Sequence, residues 1–330
     1  MDVHFDNEIR QKRLATPILK REENAFMVEN FFAQLDRIYR SEPQSAEGFL
    51  LENLAQCRQE NDWEGVIGIL NELGSLYRGQ ARYTDSLQYF QEALEGMGSL
   101  GLTDSKPYLT ALMNRAGTLR LAGRAEEAVS DFQHVLTLLN GPSDETRYIR
   151  ASTLNDLGLA YQSLGRLAEA EDCAEQALGI IQTLPYMEAE IASSGNNLAA
   201  LCLRQNRLEE AEGWLEKAMG YYQSFAGQQD PHRSSALTTL AALRCRQDRF
   251  EEALDSYERA AAITERFAGR NRNYASILHS MALVCHALGR KDAASRLKEA
   301  VELYETLGDS GSPTVEKIRS LLAQWESEKP

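Results

Sequence analysis

Small and large apolar residues recur along this chain at helical spacing, and one polar phrase punctuates them. "LGRLAEAE" (164–171) returns as "AGRAEEAV" (122–129), "QNRLEEAE" (205–212), "QDRFEEAL" (247–254) and "LGRKDAAS" (288–295), with a looser copy in "QARYTDSL" (80–87). The arginines of these phrases, Arg82, Arg124, Arg166, Arg207, Arg249 and Arg290, follow one another at intervals of 42, 42, 41, 42 and 41 residues. A period of this size marks a repeat array, in which each unit packs on its neighbours instead of closing one core.

Eight positions before each arginine stands a small residue: Gly74, Ala116, Gly158, Ala199, Ala241 and Ala282. A large apolar residue precedes it in most copies and another often follows three later, which is the spacing of one helical face. Four positions after the arginine comes a second small residue (Ser86, Ala128, Ala170, Ala211, Ala253, Ala294), and seven beyond that Ala93, Val135, Ala177, Ala218, Ala260 or Val301. The pattern predicts two helices per repeat that meet closely at their small residues. Gly, Asn or Asp just before most of the arginines supplies the turn, and the acids just after it suit the positive end of the second helix. Each half-repeat has room for a helix of roughly 25 Å at about 1.5 Å per residue. Neither helix can bury its apolar face alone, so the pairs must stack.

The small-residue pattern, above all "NDLGLAYQSLGRLAEAEDCAEQAL" (155–178), resembles the tetratricopeptide repeat (TPR). The longer period, with "LNDLGLAYQSLGR" and "GNNLAALCLRQNR" in first helices, is similar to the kinesin-light-chain-like variety of about 42 residues. The resemblance implies an all-α fold, a right-handed superhelical solenoid of antiparallel helix pairs with capping helices at both ends. Six repeats are expected over 65–308, at about 65–102, 103–143, 144–186, 187–228, 229–269 and 270–308. Residues 23–64 read as N-terminal helices or a cap, and 309–330 as a C-terminal capping helix with Pro313 in its first turn. Residues 1–22, with Arg10, Lys12, Arg13, Lys20 and Arg21, read as a frayed terminus, or alternatively as a basic arm that docks on the array.

Composition narrows the function. No run approaches the roughly 18 apolar residues of a membrane helix, and no signal-peptide core is present, so a cytoplasmic location follows by default. The five cysteines form no C-x-x-C pair and read as reduced thiols. A net charge of −14 excludes nucleic acid or an anionic membrane as the main partner. "GMGSLG" (96–101) spells a dinucleotide-binding string, but it ends a helix in a chain without strand pattern. His279, Cys285 and His286 lack the partners of a zinc site, and the Glu pairs 126–127, 209–210 and 251–252 suit helix starts. The expectation is therefore no enzyme, no cofactor and no metal.

Charge is divided between the two kinds of helix. In five repeats the first helices (105–124, 145–166, 187–207, 230–249, 270–290) carry 16 basic and 6 acidic residues. The second helices (125–141, 167–184, 208–227, 250–269, 291–308) carry 6 basic and 20 acidic. The TPR resemblance puts first helices on the concave surface, which implies a relatively basic groove. Its stripe comprises Asn71/Ser75/Arg78, Met113/Gly117/Arg120, Asn155/Leu159/Gln162, Asn196/Ala200/Leu203, Thr238/Ala242/Cys245 and His279/Leu283/His286. Asn114, Asp156, Asn197 and Thr239 run beside it, with Arg204 and Arg246 toward its end. The resemblance gives the groove asparagines the task of holding an extended peptide, and arginine can fork onto a carboxylate. The peptide-binding candidates are thus Asn71, Arg78, Asn114, Arg120, Asn155, Asn196, Asn197, Arg204, Thr238, Arg246 and His279. The reading is an adaptor for an extended or helical segment of a protein partner with acidic character. A peptide-sensing regulatory receptor and an array that self-associates through its end helices are the alternatives.

Overall fold

The computed structural model describes residues 22–224, 230–308 and 311–327, so the expected N-terminal arm lies, apart from Glu22, outside the described residues. The described residues form fifteen α-helices and a short 3-10 turn, with no strand among them. In chain order the helices are α1 (Glu22–Ser41), α2 (Ala46–Glu60), α3 (Trp63–Gly79), α4 (Tyr83–Ser99), α5 (Lys106–Leu121), α6 (Ala125–Leu138), α7 (Asp144–Ser163) and α8 (Leu167–Ile181). They continue with α9 (Glu188–Arg204), α10 (Leu208–Gln223), α11 (Arg233–Arg246), α12 (Phe250–Ala268), α13 (Arg272–Ala287), α14 (Ala293–Thr306) and α15 (Pro313–Ser327). The chain divides into two compact units, with the boundary between Ala177 and Leu178.

In the first unit α3 pairs with α4, α5 with α6, and α7 with α8; a β-carbon at Gly158 of α7 would lie 3.2 Å from the Ala170 carbonyl of α8. In the second unit α9 pairs with α10, α11 with α12 and α13 with α14, while α15 closes over α14. The core of the first unit runs from Leu35 through Leu70, Leu73 and Leu112 to Leu139. The largest core of the second runs from Leu237 through Met281 and Leu297 to Trp325.

The small residues read from the sequence are the contact points. Ala116, Ala199, Ala241 and Ala282 of the first helices are fully enclosed, as are Ser86, Ala128, Ala170, Ala211 and Ala253 of the second. Ala294 departs from this pattern: it is half-buried, and Ala293 takes the enclosed place. The reason is local, since α14 starts two residues later than its counterparts, with Asp292 at its N-cap.

Each repeat turn has the same backbone. The residue before the arginine adopts a left-handed conformation: Ala81, Gly123, Gly165, Asn206, Asp248 and Gly289, with φ between 57° and 79°. Its N–H bonds the carbonyl three residues back, and the arginine N–H bonds the carbonyl five back, as in Arg124 N–H to Leu119 O (2.8 Å) and Arg249 N–H to Arg244 O (2.9 Å). This closure satisfies carbonyls that a helix end would otherwise leave bare. Asn61 and Asp62 close α2 in the same way.

The arginine side chain then clasps the new helix. Nε of Arg82, Arg124, Arg166, Arg207 and Arg249 donates at 2.6–2.8 Å to Asp85, Glu127, Glu169, Glu210 and Glu252, three residues on. Arg290 has Ala293 at that place and makes no such pair. Four first helices begin differently, with side-chain caps: Asp62, Ser105, Ser143 and Asn271 accept from the N–H three residues later, whereas Met187 and His232, at the N-caps of α9 and α11, make no such bond. The glycine string at 96–101 ends α4, where Gly101 takes φ 69° and Leu102 N–H bonds Met97 O at 2.9 Å.

Candidate functional site

In the first unit, polar side chains of α3 and α5 on and beside the stripe are joined by hydrogen bonds. Asn114 Nδ2 donates to Asn71 Oδ1 at 3.1 Å, and Arg78 Nη1 reaches Asn114 Oδ1 at 3.4 Å. Asn71, Arg78 and Asn114 are therefore one network, built from side chains 36 and 43 residues apart. Gly117 lies beside Arg78, and a β-carbon there would stand 3.7 Å from Nη1, an ordinary contact. Met113 replaces the asparagine of its neighbours and packs its sulfur 3.7 Å from Thr153 Oγ1. Arg120 is half-buried and has no ion pair with any described residue, and Asn155 is half-buried on α7.

In the second unit the polar candidates are more heavily used by the fold. Asn196 is only 5% exposed, and its amide donates to Ser235 Oγ at 3.2 Å, so the structure turns this group to α11 instead of offering it to a ligand. Thr238 spends its hydroxyl proton on Ser234 O, one turn back in its own helix, at 2.9 Å. Asn197 is half-buried. His279 is also half-buried, and desolvation pushes its imidazole below the ordinary range, which keeps it neutral at pH 7. His286 stacks face to face on Trp325 of α15, with ring centroids 4.1 Å apart, so the C-terminal helix occupies one face of its ring. Among the described residues no group of His, Cys, Asp and Glu is placed to hold a metal ion, and no helix is long and apolar enough to cross a membrane.

Much of the charge excess counted on first helices is met by acids of second helices. Arg115 forks onto Asp131 with two bonds of 2.8 Å, Arg244 bonds Glu212 at 2.7 Å, and Arg270 pairs with Glu299. The Arg244 and Gln247 bonds hold the Glu212 carboxyl below its usual range, and the turn arginines do the same for Glu127, Glu169, Glu210 and Glu252. The basic groove expected from helix composition is thus reduced to a few guanidinium groups. Arg246 is one of them: it is exposed, and its Nη2 donates at 2.5 Å to the Asn206 carboxamide, a neutral partner.

Arg204 and Arg246 line a cavity of about 470 Å³ in the second unit. Its apolar walls come from the stripe positions Leu203, Ala242, Cys245 and Leu283, together with Val284. Leu283 is 43% exposed, so its side chain is open to a ligand in the cavity. Phe250, Tyr257 and Ser280 also line it and were not visible from the stripe, because Phe250 and Tyr257 belong to the second helix α12. The only sequence signal for Tyr257 is its place eight residues after Arg249, which matches the buried Phe90 and Phe132. A second cavity, of about 510 Å³, lies in the first unit beside Gln88, Gln91 and the Arg115–Asp131 and Arg124–Glu127 pairs, where every charge is already met.

Known proteins carry the same architecture. Two sequence models of the tetratricopeptide repeat match, one over residues 107–183 and 232–306 and the other over 66–97 and 191–232, which together is more than half of the chain. A kinesin light chain-related protein 3 of Arabidopsis thaliana is 31% identical over 108 residues, 32% of this chain and 17% of that protein. The match therefore spans about a sixth of the relative's length. The crystal structure of BtubC (BKLC) from P. vanneervenii superposes with a TM-score of 0.53 at 19% identity, covering 67% of this chain and 91% of that one. A Rap protein solved with Competence and Sporulation Factor gives a TM-score of 0.57 at 14% identity, with 92% of each chain covered. At these identities the structural likenesses speak for the fold. The repeated helix pairs, their turns and the two sequence models lead to one conclusion: the chain belongs to the tetratricopeptide repeat family and is similar within it to kinesin light chains.

Proposed function

We propose that this protein is an interaction scaffold that binds an extended or helical segment of a partner protein along its first-helix faces, with a preference for segments carrying negative charge. The observation that carries the reading is the cavity in the second unit. Matching positions of three successive first helices, α9, α11 and α13, supply its apolar walls together with Phe250 and Tyr257 of α12, and Arg204 and Arg246 add cationic groups. Such a cavity suits a large apolar side chain of the guest, and a neighbouring carboxylate would meet a guanidinium. In the first unit the Asn71–Asn114–Arg78 network supplies donors and acceptors of the kind a peptide backbone uses.

The test is a charge reversal followed by capture. Arg78, Arg120, Arg204 and Arg246 changed together to Glu should abolish retention of the partners that the wild-type chain pulls down and mass spectrometry identifies. Intact retention would show that binding does not use these faces. A second reading, a receptor that changes shape when a short peptide binds, draws support from the Rap protein solved with its factor. Small-angle scattering separates the two, since a receptor compacts on titration with peptide and a scaffold keeps its dimensions.

A further inference from the structure

We propose that Asn206 is a positioning residue for Arg246, and that this pairing makes the cavity of the second unit select a large apolar side chain lying next to a carboxylate. The inference rests on the cavity being a peptide site, as argued above.

The arginines near the turns are of two kinds. Arg207, Arg244 and Arg249 are held by the carboxylates of Glu210, Glu212 and Glu252. Each such bond fixes the guanidinium and cancels its charge in the same act. Arg246 is fixed without being cancelled, because its partner is the amide oxygen of Asn206, 40 residues earlier. A neutral acceptor orients the fork and leaves its formal charge available to a ligand in the cavity that Arg246 lines.

Asn206 is itself held firmly. It is the left-handed residue that closes α9 (φ 62°), with its N–H on Leu203 O at 3.1 Å and the next N–H on Cys202 O at 2.8 Å. The turn does not require asparagine: glycine takes the corresponding place at 123, 165 and 289, and aspartate at 248 with φ 57°. Aspartate at 206 would satisfy the same backbone and would neutralise Arg246. The amide is therefore the choice that keeps the cation open, and the apolar wall beside it (Cys245, Leu283) fixes what must flank the carboxylate.

The isosteric variant N206D tests this directly. The probes are two fluorescein-labelled decapeptides in a Gly/Ser background, one with a phenylalanine flanked by glutamates and a twin with glutamines instead, read by fluorescence anisotropy. Wild type should favour the glutamate peptide by about threefold at low salt, the size expected of an exposed charge pair. N206D should lose that preference while keeping its affinity for the twin, and R246Q should behave alike. N206G, which keeps the turn but releases the guanidinium, should retain more preference than N206D. Circular dichroism melts confirm that each variant folds. Retention of the wild-type preference in N206D, with loss in R246Q, would overturn the role of Asn206 and leave the groove reading standing. Equal binding of both peptides by wild type would overturn the selectivity, and binding of neither would overturn the groove reading and this inference together.

Discussion

A β-carbon at Gly74 would lie 2.6–2.8 Å from the ring of Phe90, which is fully enclosed between helices and has no room to withdraw. Gly74→Ala should therefore destabilise the first unit by about 1–3 kcal/mol, the usual cost of overpacking. Gly117→Ala is the contrasting case. Its nearest neighbour would be Arg78 Nη1 at 3.7 Å, an ordinary contact, so the gain in helix propensity should stabilise by about 0.5–1 kcal/mol. Urea midpoints of the two variants check both signs, and a neutral Gly74→Ala would mean that Phe90 can be displaced. The sequence made the small residue at 74 legible, because the close approach of two helices imposes size at a fixed offset from the turn. It did not show which neighbour enforces it. Ala stands at the matching place in four other copies, and Ala116 has Phe132 sixteen residues on just as Gly74 has Phe90, so the demand for glycine comes from where the Phe90 ring is placed and not from the repeat pattern. The same limit applied to the candidate site. Residue types on the stripe were readable from helical spacing, whereas the turn of Asn196 to Ser235 and the choice of Asn206 as partner of Arg246 depend on rotamers and on contacts 39 and 40 residues apart.

At the level of the helix pair, the turn arginine joins a backbone closure to a charge clasp, and the clasp should be visible in the acid limb of stability. The carboxyls of Glu127, Glu169, Glu210 and Glu252 are held below their ordinary range by bonds from Arg124, Arg166, Arg207 and Arg249. A carboxyl depressed in the folded state binds fewer protons there than in the unfolded chain. Its contribution is fully present above the unfolded value of about 4.3 and fades as pH falls through the lower folded value. The melting temperature should consequently hold between pH 7 and 5 and drop below that unfolded value. A variant with the four glutamates changed to glutamine should melt lower at pH 7 and show a shallower acid limb, so that the two curves converge toward pH 3. Parallel curves would mean that the clasps are screened out by solvent, since all four carboxylates lie at the surface. Helix pairing was legible in advance because a turn arginine, a left-handed residue and an acid three positions on are all local. Cancellation of first-helix charge by Asp131 and Glu212 was not, because those acids sit on other helices: Asp131 meets Arg115 only once α5 and α6 have paired, and Glu212 meets Arg244 only once neighbouring pairs have stacked.

For the chain as a whole, a net charge of −14 sets a field that opposes the guest it is argued to prefer. A negative peptide approaching from solution meets repulsion over a Debye length, and only at contact does it meet Arg246 and its neighbours. The two effects act on different rates. Long-range repulsion slows encounter, while the local guanidinium contact, made at the exposed Arg246, slows escape. For the glutamate decapeptide the association rate constant should therefore rise between about 0.01 and 0.15 M salt, as the Debye length shrinks from about 30 to 8 Å. The glutamine twin, which feels little of the field, should associate at a nearly constant rate over that range. Dissociation of the glutamate peptide should quicken with salt, because the exposed Arg246 contact is screened as well. Stopped-flow anisotropy on the two peptides resolves both rates. An association rate for the glutamate peptide that fell with salt would mean that the cations of the groove outweigh the acidic second helices even at a distance. The preference for acidic guests would then be a property of the whole field and not of a guanidinium held by an amide.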